Sequence, residues 1–261
     1  MILASLLAAT EVHAAVNRQF CLKCHSGHYE GRGNCTDCHR GNPLTDRKNI
    51  AHQQLIAGRY AHFTLGNVPV LKEGRRLIDH SACRRCHVIA GQGNRLAANL
   101  DVVARKKSPQ ELLQSIHQPA QGMPDFHINE NGTTAIINAL LSSTPTITKD
   151  ERAQVVYFSR AGDGGQDIFS KKCGGCHRIL SQKLGASGRG DIGPNLSGLL
   201  SSFYPKTFRN GGEWSADKLA NWLKNPRIFR PWAQMQPVDL TNSERNDLET
   251  VITIVNKQEN D

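Results

Sequence analysis

Cys21-Leu22-Lys23-Cys24-His25, Cys35-Thr36-Asp37-Cys38-His39, Cys83-Arg84-Arg85-Cys86-His87 and Cys173-Gly174-Gly175-Cys176-His177 are four copies of one pattern, Cys-x-x-Cys-His. Together they use all 8 cysteines of the 261-residue chain. The pattern is the attachment signature of a c-type haem. Two thiols add across the porphyrin vinyl groups, and the adjacent imidazole is held under the iron as its proximal ligand. Two other readings compete. The first two pairs have the spacing of a zinc ribbon, but a ribbon needs no histidine after each second cysteine. An even cysteine count also allows disulfides, which again leave the histidines unexplained. The recurrent histidine favours four covalent haems, with His25, His39, His87 and His177 as proximal ligands.

Composition agrees with a chain that borrows its core. Hydrophobic residues make up 38% and aromatics 6%, which is lean for 28.8 kDa. A stapled porphyrin supplies apolar surface that a small domain otherwise has to find in side chains. Residues 1–14 read as a secretory signal, with an apolar stretch from Ile2 to Ala9 and a small-residue cleavage site at Val12-His13-Ala14. Covalent haem attachment itself implies export, to the periplasm or the outer cell surface. No later stretch has the length and apolarity of a membrane span.

The formal net charge of +9 overstates the loaded protein, because four haems bring eight propionates. Nucleic acid is therefore excluded as a partner. The expected partners are other redox proteins or a membrane-bound electron-transfer complex. Basic pairs at Arg75-Arg76, Arg84-Arg85, Arg105-Lys106-Lys107 and Lys171-Lys172 lie near attachment sites. They suit neutralisation of propionates better than steering of acidic partners.

The pattern along the chain is mainly α and falls into three modules. The last, residues 153–261, is the easiest to read. Gly164 to Phe169 leads as a short helix into Cys173, and Ile192-Gly193-Pro194-Asn195-Leu196 is a turn after the haem site. Ser215 to Leu219 opens a helix carrying Trp222 and Leu223 and stopped at Pro226. Thr241-Asn242-Ser243-Glu244 is a capping box, with Leu248, Val251, Ile252 and Val255 on the face that follows. Residues 71–145 repeat the plan in compressed form. Gly74 stands before Cys83 as Gly164 stands before Cys173. Ser108-Pro109-Gln110-Glu111 is a capping box, Gly122-Met123-Pro124 a Met-Pro loop, and Ala135 to Leu141 a closing helix. Thr144-Pro145-Thr146 marks the linker between the two.

Both stretches resemble class I cytochrome c, in which helices wrap the haem and a methionine before the last helix is the distal ligand. The resemblance implies the axial pairs His87/Met123 and His177/Met235. His117 and His127 flank the first of those methionines and are rival ligands. Gln236 stands where many relatives place Pro directly after the methionine.

Residues 15–70 differ. Two attachment sites lie within one short stretch, too close for a complete class I fold around either, so little regular structure is expected and the haems should pack against each other. Without a usable methionine, the distal ligands are expected among His28, His52 and His62, with His80 a further candidate. His28 follows His25 too closely to reach the opposite face of the same haem, so it suits the iron attached at Cys35 and Cys38. His52 or His62 would then complete the first haem.

This module resembles the small class III multihaem cytochromes in haem density and histidine ligation. The whole chain is similar to the multihaem cytochromes of metal-reducing bacteria. The stretch His25-Ser26-Gly27-His28 through Cys38-His39-Arg40-Gly41-Asn42-Pro43 resembles the c-type cytochromes encoded with selenite and tellurite reduction. The resemblance implies an exported tetrahaem electron carrier in an anaerobic, metal- or oxyanion-reducing chain. A reductase or peroxidase with one open iron site is the alternative.

Overall fold

The computed structural model describes residues 20–120, 122–143 and 166–255. The expected signal at 1–14, the linker at Thr144–Thr146 and Gly164 lie outside the described residues. Two compact units divide the chain, Met1–Ile56 and Ala57–Asp261.

The first unit carries a 3-10 turn at Phe20–Lys23 and the short helices α1 (Cys35–His39) and α2 (Lys48–Ala51). Asn34 caps α1, and Asp37 returns a carboxylate to the Asn34 backbone N–H at 2.8 Å. Turns are tied by Phe20 N–H to Pro43 O (3.0 Å) and Asn42 N–H to Ala51 O (2.9 Å). Among its described residues only Ile56 is buried. So small an apolar interior leaves this unit little side-chain core of its own.

In the second unit a 3-10 segment (Gly58–Thr64) precedes α3 (Pro69–His80), α4 (Leu100–Lys106), α5 (Pro109–His117) and α6 (Glu130–Ser142). Helix α3 begins on Pro69 at its first position, where the missing N–H costs nothing. Helix α3 lies across α6, and Gly74 is the point of closest approach. A β-carbon there would strike the Ala135 carbonyl and the Ala139 side chain. Ser108 and Glu111 form the expected capping box on α5.

The remainder repeats this plan. Helix α7 (Ile168–Lys172) leads into Cys173, and α9 (Asn242–Ile252) packs against it as α6 does against α3. Between them come α8 (Ala216–Lys224) and a small antiparallel hairpin, β1 (Ile179–Ser181) with β2 (Gly185–Ser187). Phe169, Ile179, Leu199, Tyr204, Leu223, Leu248, Val251 and Ile252 form the core of this part. The hairpin was not foreseen. Its strands are three residues long, too short for alternation to register in sequence. Val255 is a further difference: α9 ends at Ile252, and Val255 is 65% exposed beyond it, its N–H donating to Gln182 Oε1 at 2.9 Å.

Candidate haem sites

Each Cys-x-x-Cys-His lies on or beside a tight helical turn. Cys21 is within the 3-10 turn, Cys35 opens α1, Cys83 opens a 3-10 turn directly after α3, and Cys173 caps α7. In three copies the histidine N–H closes the turn on the first cysteine's carbonyl: His25 to Cys21 (3.0 Å), His87 to Cys83 (3.0 Å) and His177 to Cys173 (2.9 Å).

The imidazoles are oriented from behind. His39 Nδ1 meets Ile56 O at 2.9 Å, His87 Nδ1 meets Ala98 O at 2.7 Å, and His177 Nδ1 meets Pro194 O at 2.8 Å. A carbonyl can only accept, so Nδ1 carries the proton in all three and the Nε2 lone pair is left for a metal. Metal-bound histidines are fixed in this way by a backbone carbonyl or carboxylate. Burial holds the His87 pKa below the ordinary histidine range, which keeps that ring neutral as a ligand must be. Gly193 lies flat against the His177 ring, where a β-carbon would collide with the imidazole.

The thiols fit a thioether better than a thiolate. Burial pushes Cys83 and Cys173 up to about 11, and it also raises Cys86 and Cys35. A zinc site needs thiolates, which these surroundings penalise, whereas a thioether carries no charge. Among the described residues, no three His, Cys, Asp or Glu side chains converge as a bare metal ion would need. The donor sets at Cys83–His87 and Cys173–His177 therefore fit covalent haem better than a thiolate-bound metal ion.

Two of the candidate distal histidines stand opposite proximal ones in the first unit. His25 and His52 have ring centroids 6.0 Å apart, and His28 and His39 are 5.6 Å apart. His52 is the C-cap of α2 rather than a residue within it. His62 belongs to the second unit, where its Nδ1 lies 3.3 Å from Arg59 O. His80 and His127 both line a groove of about 930 Å³ between α3 and the start of α6. His127 is exposed beside Asp125, and His117 is exposed with Nε2 at 2.9 Å from Thr133 Oγ1.

Met235 packs on the core of the last module, and its sulfur accepts the Trp222 Nε1–H at 3.1 Å. Met123 is half-buried in a turn, its N–H bonded to Ala120 O at 3.1 Å. Trp222 carried no signal of this role in the sequence beyond its place on α8.

Comparison with known proteins agrees with this chemistry. Cytochrome c of Stellaria longipes is 32% identical over 98 residues, covering 34% of this chain and 86% of that protein. The chain belongs to the cytochrome c family. Cytochrome c of Arabidopsis thaliana is likewise 32% identical over 111 residues, 38% of this chain and 95% of that protein. A family model described as cytochrome C oxidase, cbb3-type, subunit III matches residues 69–142, a span that runs from the start of α3 to the end of α6. No solved structure matches. Membership implies covalently bound haem c and a haem electron-transfer role.

Four of the basic residues near the attachment sites of this cytochrome have carboxylate partners close at hand. Arg76 pairs with Glu73 (2.7 Å), Arg84 with Asp79 (2.6 Å), Lys107 with Glu111 (3.5 Å) and Lys172 with Glu244 (3.6 Å). Arg85 differs. It is 9% exposed, and no carboxylate among the described residues pairs with it.

Proposed function

We propose that this cytochrome carries four haems, one at each Cys-x-x-Cys-His, and relays single electrons between redox partners outside the cytoplasm. Bound haem supplies the one-electron ferric/ferrous couple. The protein residues attach it, orient its ligands and set the surrounding charge. The observation that carries the reading is the repeated Nδ1–H···O=C bond behind His39, His87 and His177, which presets three separate imidazoles as ligands.

In the first unit we propose bis-histidine sites, His25 with His52 and His39 with His28. Each pair of imidazoles would be close enough to hold one iron between them. The observed separations of 6.0 and 5.6 Å support those pairings and leave His62 and His80 surplus. In the second unit His87 with Met123 and His177 with Met235 complete the set. Such full coordination makes the chain a carrier rather than a reductase or peroxidase with an open iron. Met ligation raises haem potential, so electrons should run from the first unit toward the second. The resemblance of the first unit supports a place in metal- or oxyanion-reducing respiration, with a membrane-bound complex or another exported cytochrome as partner.

Intact mass of the purified protein tests the count, and ferric spectra test the ligand classes. Four haem additions, two bis-His and two His/Met signals are expected. Rapid stoichiometric binding of carbon monoxide to the reduced protein would instead establish an open site. Four indistinguishable potentials, or the reverse order, would defeat the direction assigned here.

A further inference from the structure

Arg85 is the second intervening residue of the third attachment motif, yet it turns away from its own turn. Its neighbour Arg84 reaches outward to Asp79, while Arg85 Nη1 donates to the Asn195 carbonyl at 3.3 Å. Asn195 follows Pro194, whose carbonyl accepts the Nδ1–H of His177 at 2.8 Å. One peptide link from Cys86, one side chain, two hydrogen bonds and the short run Pro194-Asn195 thus connect the third attachment site to the proximal ligand of the fourth.

The surroundings are built to hold this crossing. Tyr204 Oη donates to the same Asn195 carbonyl at 3.1 Å, and the guanidinium lies over the Tyr204 ring at 5.9 Å. Asn94 Nδ2 donates to the Arg85 carbonyl (2.9 Å) and to Ser201 Oγ (2.7 Å), joining the two halves of the unit again. Beside this polar seam, Cys86 and Leu96 bury against Leu180, three residues beyond His177, with Ala97, Ala186 and Ile254 around them. A buried cation without a carboxylate is costly to keep, and a contact that served packing alone has no need of one.

We propose that the haems at Cys83–His87 and Cys173–His177 form a direct electron-transfer pair, and that Arg85 is the positioning residue that bridges and tunes it. The inference rests on haem attachment at both motifs. One electron leaves the iron under His87 and enters the iron under His177, or returns. No bond forms or breaks, and the His177 Nδ1 proton stays in its hydrogen bond. Tunnelling decays steeply across gaps and less steeply along bonded atoms, so a packed, hydrogen-bonded seam favours this crossing over exchange between molecules. The Arg85 charge also disfavours the ferric form of both irons, which raises their potentials.

The test uses half-reduced, full-length holoprotein, with exchange between haem methyl resonances followed by NMR and both potentials measured by titration. In the unaltered protein the exchange rate should not change with protein concentration. Arg85→Gln should slow exchange by about tenfold, the scale of one lost hydrogen bond from a charged group, and should lower both potentials. Arg85→Lys should keep the potentials near those of the parent but slow exchange, because an ammonium cannot reproduce the guanidinium reach. Exchange that scales with concentration, or rates in both variants equal to the parent, would overturn the proposal. If Arg85→Gln does not fold, the concentration series and Arg85→Lys still decide it. Peptide masses separate this from the parent reading: a Cys83–His87 or Cys173–His177 fragment without haem mass removes the attachment itself.

Discussion

The indole Nε1–H of Trp222 is aimed at the Met235 sulfur at 3.1 Å. The bond joins the middle of α8 to the loop before α9, and it withdraws electron density from the thioether proposed as distal ligand. Trp214 and Phe229 hold the indole by ring contacts at 5.5 and 6.2 Å. Replacing Trp222 by Phe keeps a ring in that stack and deletes only the donor. The sulfur then donates more strongly to ferric iron, and the potential of the fourth haem should fall. A hydrogen bond of about 1 kcal/mol felt by one redox state corresponds to a fall of roughly 40 mV for one electron. Spectroelectrochemical titration of the variant checks both sign and size.

The pairings in the first unit make separate predictions. His52→Ala should open the iron under His25, and His28→Ala the iron under His39. Each variant should gain high-spin ferric signal and bind one further equivalent of carbon monoxide when reduced. His62→Ala should leave both spectra unchanged. A His52 variant that keeps the parent low-spin spectrum would remove that residue from the first haem.

Gly74 is where α3 and α6 touch. Gly74→Ala drives a methyl group into the Ala135 carbonyl, and since backbone cannot rotate away, the helices must separate. Overpacking of this kind should cost about 1–3 kcal/mol, read from denaturant unfolding of the holoprotein. The substitution adds helix propensity, so an unchanged or raised midpoint would show that the helices do not cross at this glycine.

The capping boxes on α5 and α9 carry a pH dependence. The backbone N–H of Ser108 holds the Glu111 carboxyl below the ordinary carboxylate range, and the backbone N–H of Thr241 does the same for Glu244. A lowered folded-state pKa means the unfolded chain binds the proton more readily. The contribution is therefore present above the unfolded carboxylate value of about 4.3 and lost as pH falls through the lower folded value. Thermal unfolding followed from pH 6 downward should show Glu244→Gln losing less stability across that interval than the parent. Parallel curves would mean the carboxylate contributes nothing there.

Cofactor chemistry was legible in the sequence because covalent attachment needs its residues contiguous. The Cys-x-x-Cys-His pattern is visible in contiguous runs without reference to anything distant, and the cytochrome c relatives agree with the covalent haem it signals. Capping boxes at Ser108 and Thr241 were legible for the same local reason: the side chain and its backbone partner lie within one helical turn. The β1–β2 hairpin and the early end of α9 were not, since strands of three residues and a helix stop at Ile252 are set by neighbours such as Gln182 rather than by periodicity.

Sequence alone thus determined the class of cofactor and the local caps. Tertiary structure alone decided which histidine faces which. His28 stands beside His39, as its spacing suggested, but only the folded chain sets His52 rather than His62 beside His25. It also decided that Arg85, indistinguishable from Arg84 as a letter, turns inward to Asn195 while its neighbour pairs with Asp79. The physical reason is range. A thioether and its adjacent ligand are joined through bonds a few residues long, whereas a distal ligand or a bridging cation acts through space, and only the folded chain brings those groups together.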